Sequence, residues 1–132
     1  MESLNKDQRL RDTIIWGDYS PDDYGGGIRR FSFMKLDQLE KLISNNFIEL
    51  DQRQNWSPST KEFYDFLKKN PQFTAHGYAV ELKRNDYRVT IEGLECRVLC
   101  DEETIKSFKI LCRNADSKSI DLKKPLLYSW WD

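Results

Sequence analysis

The clearest order in the chain is an alternation of apolar and polar residues near its middle. Val80 and Leu82 alternate with Glu81 and Lys83, and Tyr87, Val89 and Ile91 alternate with Arg88, Thr90 and Glu92. A period of two marks strands with one buried and one wet face. Between the two runs lie Asn85 and Asp86, residue types that tolerate the positive φ of a tight turn. The pattern predicts a central hairpin over residues 75–92. A two-residue turn at Asn85-Asp86 sets Leu82 opposite Val89 and Val80 opposite Ile91. After Gly93 the apolar positions change phase, to Leu94, Cys96 and Val98. A bulge at Gly93 accounts for that shift better than a second turn, because Glu92 suits the first position of a tight primed turn poorly.

Periods of three and four take over elsewhere. Leu36, Leu39, Leu42 and Ile43 define an amphipathic helix that Asn45-Asn46 is placed to end. Ser59 and Glu62 match a capping box behind Pro58, Phe63, Phe66 and Leu67 form the stripe of a second helix, and Asn70-Pro71 stops it. Asp101 is a natural N-cap, Glu102 and Glu103 complement the dipole, and Ile105, Phe108, Leu111 and Cys112 give a third helix its inner face. Residues 28–33 read as a short strand, 115–124 as a polar loop and 126–131 as a last strand. The order β-α-α-β-β-α-β predicts an α+β fold, a mostly antiparallel sheet covered on one face by helices.

The first 27 residues stand apart. Leu4, Leu10, Ile14 and Ile15 have imperfect helical spacing, and residues 17–27, GDYSPDDYGGG, are too polar and glycine-rich to bury much. The predicted division is a flexible N-terminal arm over 1–27 and a single domain over 28–132.

Composition narrows the function classes. Four tryptophans, six tyrosines and seven phenylalanines in 132 residues argue for a packed core. Twenty-one basic and 22 acidic residues nearly cancel, to a net charge of −1, which counts against a dedicated nucleic-acid binder. No apolar run has the length to cross a bilayer, and the polar start does not resemble a secretory signal. An odd number of cysteines, three, fits a reducing cytoplasm better than a disulfide framework.

Candidate chemistry is sparse. Cys96, Cys100, Cys112 and His76 have the ligand count of a zinc site but lack the short paired spacing that such sites use, so no metal or cofactor is expected. His76, the only histidine, could act as a general base, yet a strand-end histidine bonded to backbone is the plainer reading. Gly25-Gly26-Gly27 leads into a strand rather than a helix, the wrong context for a phosphate loop. Asn55-Trp56-Ser57 matches a glycosylation acceptor that has no meaning in a cytoplasmic chain.

These features favour a non-enzymatic protein-binding module, such as a regulator, inhibitor or immunity-type protein. Its expected contact residues are Trp16, Tyr19 and Tyr24 on the arm, Tyr78, Arg84, Asp86 and Arg88 on the hairpin, and Trp131 at the end. The alternative is nucleic-acid binding through Arg29, Arg30 and the basic helix 101–114 with Lys106, Lys109 and Arg113, continued by Lys118, Lys123 and Lys124. A small enzyme built on His76 is the third reading.

Overall fold

The computed structural model describes residues 3–121 and 126–132. Five antiparallel strands form one sheet in the order β1-β2-β3-β5-β4, with β1 Ile28–Met34, β2 Thr74–Val80, β3 Val89–Cys96, β4 Ser117–Asp121 and β5 Leu126–Trp130. Helices α1 Gln8–Trp16, α2 Leu36–Ser44, α3 Thr60–Lys69 and α4 Glu102–Leu111 supply Ile15, Leu39, Leu42, Phe63, Phe66, Leu67 and Phe108 to a single core. The sheet contributes Phe31, Ala75, Ala79, Val89, Ile91, Leu94, Cys96 and Leu127 to it. The fold is α+β, with helices over one face of the sheet, as the hydrophobic pattern predicts.

Helix ends follow their sequence signals. Ser59 Oγ accepts from the Glu62 amide at 3.2 Å while Glu62 reaches back to the Ser59 amide at the same distance. Asp101 accepts from the Thr104 amide at 2.8 Å. Asn46, at φ +61, is the left-handed residue that turns the chain out of α2.

The hairpin register differs from the sequence expectation. Ala79 pairs with Val89, Tyr78 with Thr90 and Gly77 with Ile91, and residues 81–88 form a wider loop in place of a turn at Asn85-Asp86. Leu82 lies exposed in that loop, whereas Val80, Val89 and Ile91 are buried. The reason is the Arg84–Asp86–Arg88 chain. Asp86 accepts from Arg84 at 2.8 and 2.6 Å and from Arg88 at 3.1 Å, folding the loop on itself before strand pairing begins.

Farther along, β3 carries one extra residue. His76 faces Gly93 while Gly77 faces Ile91, so Glu92 is a bulge. It keeps Ile91 and Leu94 both in the core although they are three apart. By the same shift Glu92 and Glu95 share the other face. Gly93 is required there: a Cβ would meet the Ser129 carbonyl oxygen at 1.9 Å.

Residues 115–124 were expected to be loop, but 117–121 form the edge strand β4. It pairs with β5 from Ser117–Trp130 to Asp121–Leu126. An edge strand buries little, so its polar sequence shows no alternation. Residues 122–125, with Lys123 and Lys124 of the basic run, lie outside the described residues.

The N-terminal segment is held by one buried ion pair. The Arg11 side chain, wholly inaccessible, donates from Nε to Asp12 at 3.0 Å, from one amino group to the Val80 carbonyl at 2.8 Å and from the other to Tyr24 Oη at 2.7 Å. Tyr24 Oη donates on to Asp12 at 2.8 Å, and the guanidinium lies 4.7 Å from the Tyr87 ring centre. Burial holds the Tyr24 phenol above the ordinary tyrosine range, against the pull of Arg11. Gln38 of α2 joins the same end of the molecule, donating to the Ile14 and Ile15 carbonyls that close α1.

Candidate functional site

Residues 51–56 read in sequence as plain polar connection, and with Ser57 and Pro58 they lead into α3. In the fold they are pinned at several points. Gln52 Nε2 donates to the Val89 carbonyl at 2.6 Å, Gln54 Nε2 to the Trp131 carbonyl at 3.1 Å and Asn55 Nδ2 to the Asp132 carbonyl at 2.6 Å. The Ser57 hydroxyl accepts from the Gln54 amide at 2.8 Å, closing the tip. Asn55 sits at φ +51, a conformation asparagine tolerates, and the next residue is thrown outward. Trp56 is 83% exposed. A held loop thus presents the largest side chain type to solvent.

Trp56 stands at the rim of a groove of about 400 Å³ between α3 and α4. Phe66, Leu111 and Ile110, the last 57% exposed, supply its apolar surface. Its carboxylates are already engaged. Glu62 meets Arg53 at 3.4 Å and caps α3, and Asp65 is held at 2.8 Å by Lys61 and 3.3 Å by Lys68. Those lysines keep the Asp65 carboxyl below the usual range. Lys69 and Arg113, also in the lining, have no carboxylate within ion-pair distance among the described residues. Arg113 lies in the turn just past the end of α4 and brings its charge to the rim beside Ile110. The groove is therefore apolar at its anchor points and net basic in its free charge.

The helix-free face of the sheet carries a second cluster. His76 stacks flat on Tyr128, with ring centres 5.0 Å apart, and its Nε2 lies 2.8 Å from the Ser129 carbonyl. Facing a carbonyl, Nε2 must carry the proton, which leaves Nδ1 as the basic nitrogen. Burial lowers the His76 pKa, opposed by that hydrogen bond and by the charges of Glu95 and Glu92. Both glutamates are buried beside exposed arginines, Glu92 with Arg30 at 2.6 Å and Glu95 with Arg97 at 3.4 Å. Neither was singled out in sequence; the phase change at Gly93 is the signal that places them together. Next to them Arg88 donates to Tyr78 Oη at 2.7 Å, and Tyr78 donates to Gln54 at 3.1 Å.

The residues nominated from sequence do not form one surface. Trp16 packs edge-on against Tyr24 and Phe31, with the Arg29 guanidinium 3.9 Å from its ring centre. Tyr19 lies under Arg9 at 4.5 Å. Tyr78 stands on the open face of the sheet, and Arg88 reaches it from the loop that also holds Arg84 and Asp86. Trp131 needs correction as a contact residue. It is 1% exposed and packs against Phe63 at 5.5 Å, because just past the end of β5 it continues the inward phase of Leu127 and Ser129. Trp130, on the outward set, is the partly exposed one. Arg29 and Arg30 point to opposite faces of β1, and Arg29 is turned toward Asp18 and Asp23 at 4.0 and 3.5 Å. Among the described residues no hydrogen bond or ion pair joins either to Lys106 or Lys109 of α4 or to Arg113 just beyond it.

Fold and groove together define a five-stranded antiparallel α+β protein with a basic, tryptophan-rimmed cleft on its helical layer. No protein-family model, no curated protein and no solved structure matches the chain. Among the described residues no helix is long and apolar enough to cross a membrane, and no three side chains group as metal ligands.

Proposed function

We propose that the protein is a binding module that recognises another protein through the groove between α3 and α4. The occupant is a peptide segment with an aliphatic or aromatic anchor flanked by carboxylates. Trp56, held out at 83% exposure by a pinned loop, is the observation that carries this reading. Tryptophan dominates binding hot spots, and covering its surface is worth roughly 4–6 kcal/mol before ordering costs. Phe66 and Ile110 supply the apolar floor, and Lys69 and Arg113 the unmatched positive charge. The cytoplasm is the compartment this reading implies, and three free cysteines support it.

Selection of a random-peptide display library on the full-length protein tests the proposal. Enriched peptides should combine an apolar anchor with aspartate or glutamate, and should bind Trp56→Ala about tenfold or more weakly, a loss of roughly 1.4 kcal/mol or greater. Peptides retained equally by wild type and Trp56→Ala would remove the groove as the site.

A further inference from the structure

Cys96 closes β3 and Cys100 precedes the Asp101 N-cap of α4, separated by three exposed residues. Their sulfurs lie 3.5 Å apart, and both approach the Val98 carbonyl, at 3.5 and 3.6 Å. The tip of this short loop, Val98 and Leu99, is open to solvent. Cys96 is buried in the core, whereas Cys100 is partly exposed and is bonded weakly to Gln72 at 3.9 Å. A crevice of only about 10 Å³, between Val98, Leu99, Ile105 and Leu126, adjoins Cys100. It is too small for a ligand but leaves the side chain room to turn.

We propose that Cys96 and Cys100 are a modification site, at which a peroxide closes a reversible intramolecular disulfide clasping the end of β3 to the start of α4. A disulfide needs its sulfurs at about 2.05 Å, so they must approach by about 1.5 Å, a movement that rotation of the Cys100 side chain supplies. Burial pushes the Cys96 thiol up to about 11. Cys100, the exposed partner, therefore meets the oxidant. Its sulfur attacks one oxygen of hydrogen peroxide, the O–O bond breaks, and a sulfenic acid forms as the first water leaves with the thiol proton. The Cys96 sulfur then attacks the Cys100 sulfur, the S–O bond breaks, and hydroxide leaves as a second water with the Cys96 proton. Two thiols and one peroxide give one disulfide and two waters, the sulfurs yielding the two electrons that reduce the peroxide. A dithiol reverses the link by exchange.

The test is treatment of the full-length protein with one equivalent of hydrogen peroxide, followed by intact mass and peptide mapping without reduction. The expected product has lost two hydrogen atoms, carries a Cys96–Cys100 link, and returns to starting mass with dithiothreitol. Cys112 should stay a free thiol that is alkylated only after unfolding, since it is fully buried. Cys112→Ser should still close the link, and Cys100→Ser should not. A sulfinic acid at Cys100 beside an intact Cys96 thiol, a Cys100 link between two molecules, or a link to Cys112 would each overturn the proposal.

Discussion

Arg11 carries a full charge to a place where none of its side chain meets solvent. Its burial is offset because every direction of the guanidinium is answered: a carboxylate, a carbonyl, a phenol and an aromatic face. Arg11→Ala leaves Asp12 buried without its counter-ion and should cost about 3–5 kcal/mol in a urea titration. Nothing in the local sequence announced this, since Arg11 and Asp12 sit in a run of mixed charge that reads as solvated surface. Gly93 was different, because the shift in apolar phase beside it marked a bulge. Gly93→Ala should lose about 3 kcal/mol through collision with the Ser129 carbonyl. The matched change Gly25→Ala, with open space around it, should stay within about 0.5 kcal/mol of wild type. His76 makes a pH prediction. Its pKa falls below 6.5 on folding, so the unfolded chain binds the proton more readily. The His76 contribution is fully present above pH 6.5 and is lost as pH falls from there toward the lowered native value. The stability difference between wild type and His76→Gln should therefore shift against wild type as acid is added, and a flat difference would show that the ring titrates alike in both states.

Elements with a periodic apolar stripe and a cap were legible: α2, α3 and α4 begin where Leu36, Ser59 and Asp101 place them. Strand β4 was not, because Ser117, Lys118, Ser119 and Asp121 need no core to pair along an edge. The hairpin strands were recognised but their register was displaced, since a side-chain ion chain formed the turn and local turn propensity did not. Residues 51–56 read as connection for a similar reason: what fixes them is hydrogen bonding to Val89, Trp131 and Asp132, distant in sequence. Trp56 makes no core contribution, so Trp56→Ala should leave the unfolding midpoint unchanged to within about 0.5 kcal/mol. Asn55→Ala should instead weaken the loop, removing both the bond to the Asp132 carbonyl and the residue suited to φ +51.

At the scale of the molecule, the antiparallel sheet with helices on one face follows from the order of periodicities, but the boundary between arm and domain is less sharp than composition implies. Tyr24, Arg11 and Ile15 reach into the same body as Val80 and Tyr87. A chain beginning at residue 28 should unfold at lower urea than the full-length protein and show faster amide exchange at Val80 and its neighbours, because the carbonyl there loses its buried donor. Equal midpoints would mean that the first 27 residues are a true appendage. Legibility ends at surfaces: a groove is made by two helices meeting, and no single stretch of sequence describes the gap between them.

Of the four tryptophans, Trp131 is sealed in the core and Trp16 and Trp130 are partly covered, which leaves Trp56 alone almost bare. A collisional quencher in the solvent will therefore darken one indole well before the others. The emission lost at low quencher concentration reports the neighbourhood of α3 and α4 without any attached dye. Whatever settles over that spot will shield the indole and bring the light back, so occupancy of the cleft can be read from the protein's own fluorescence.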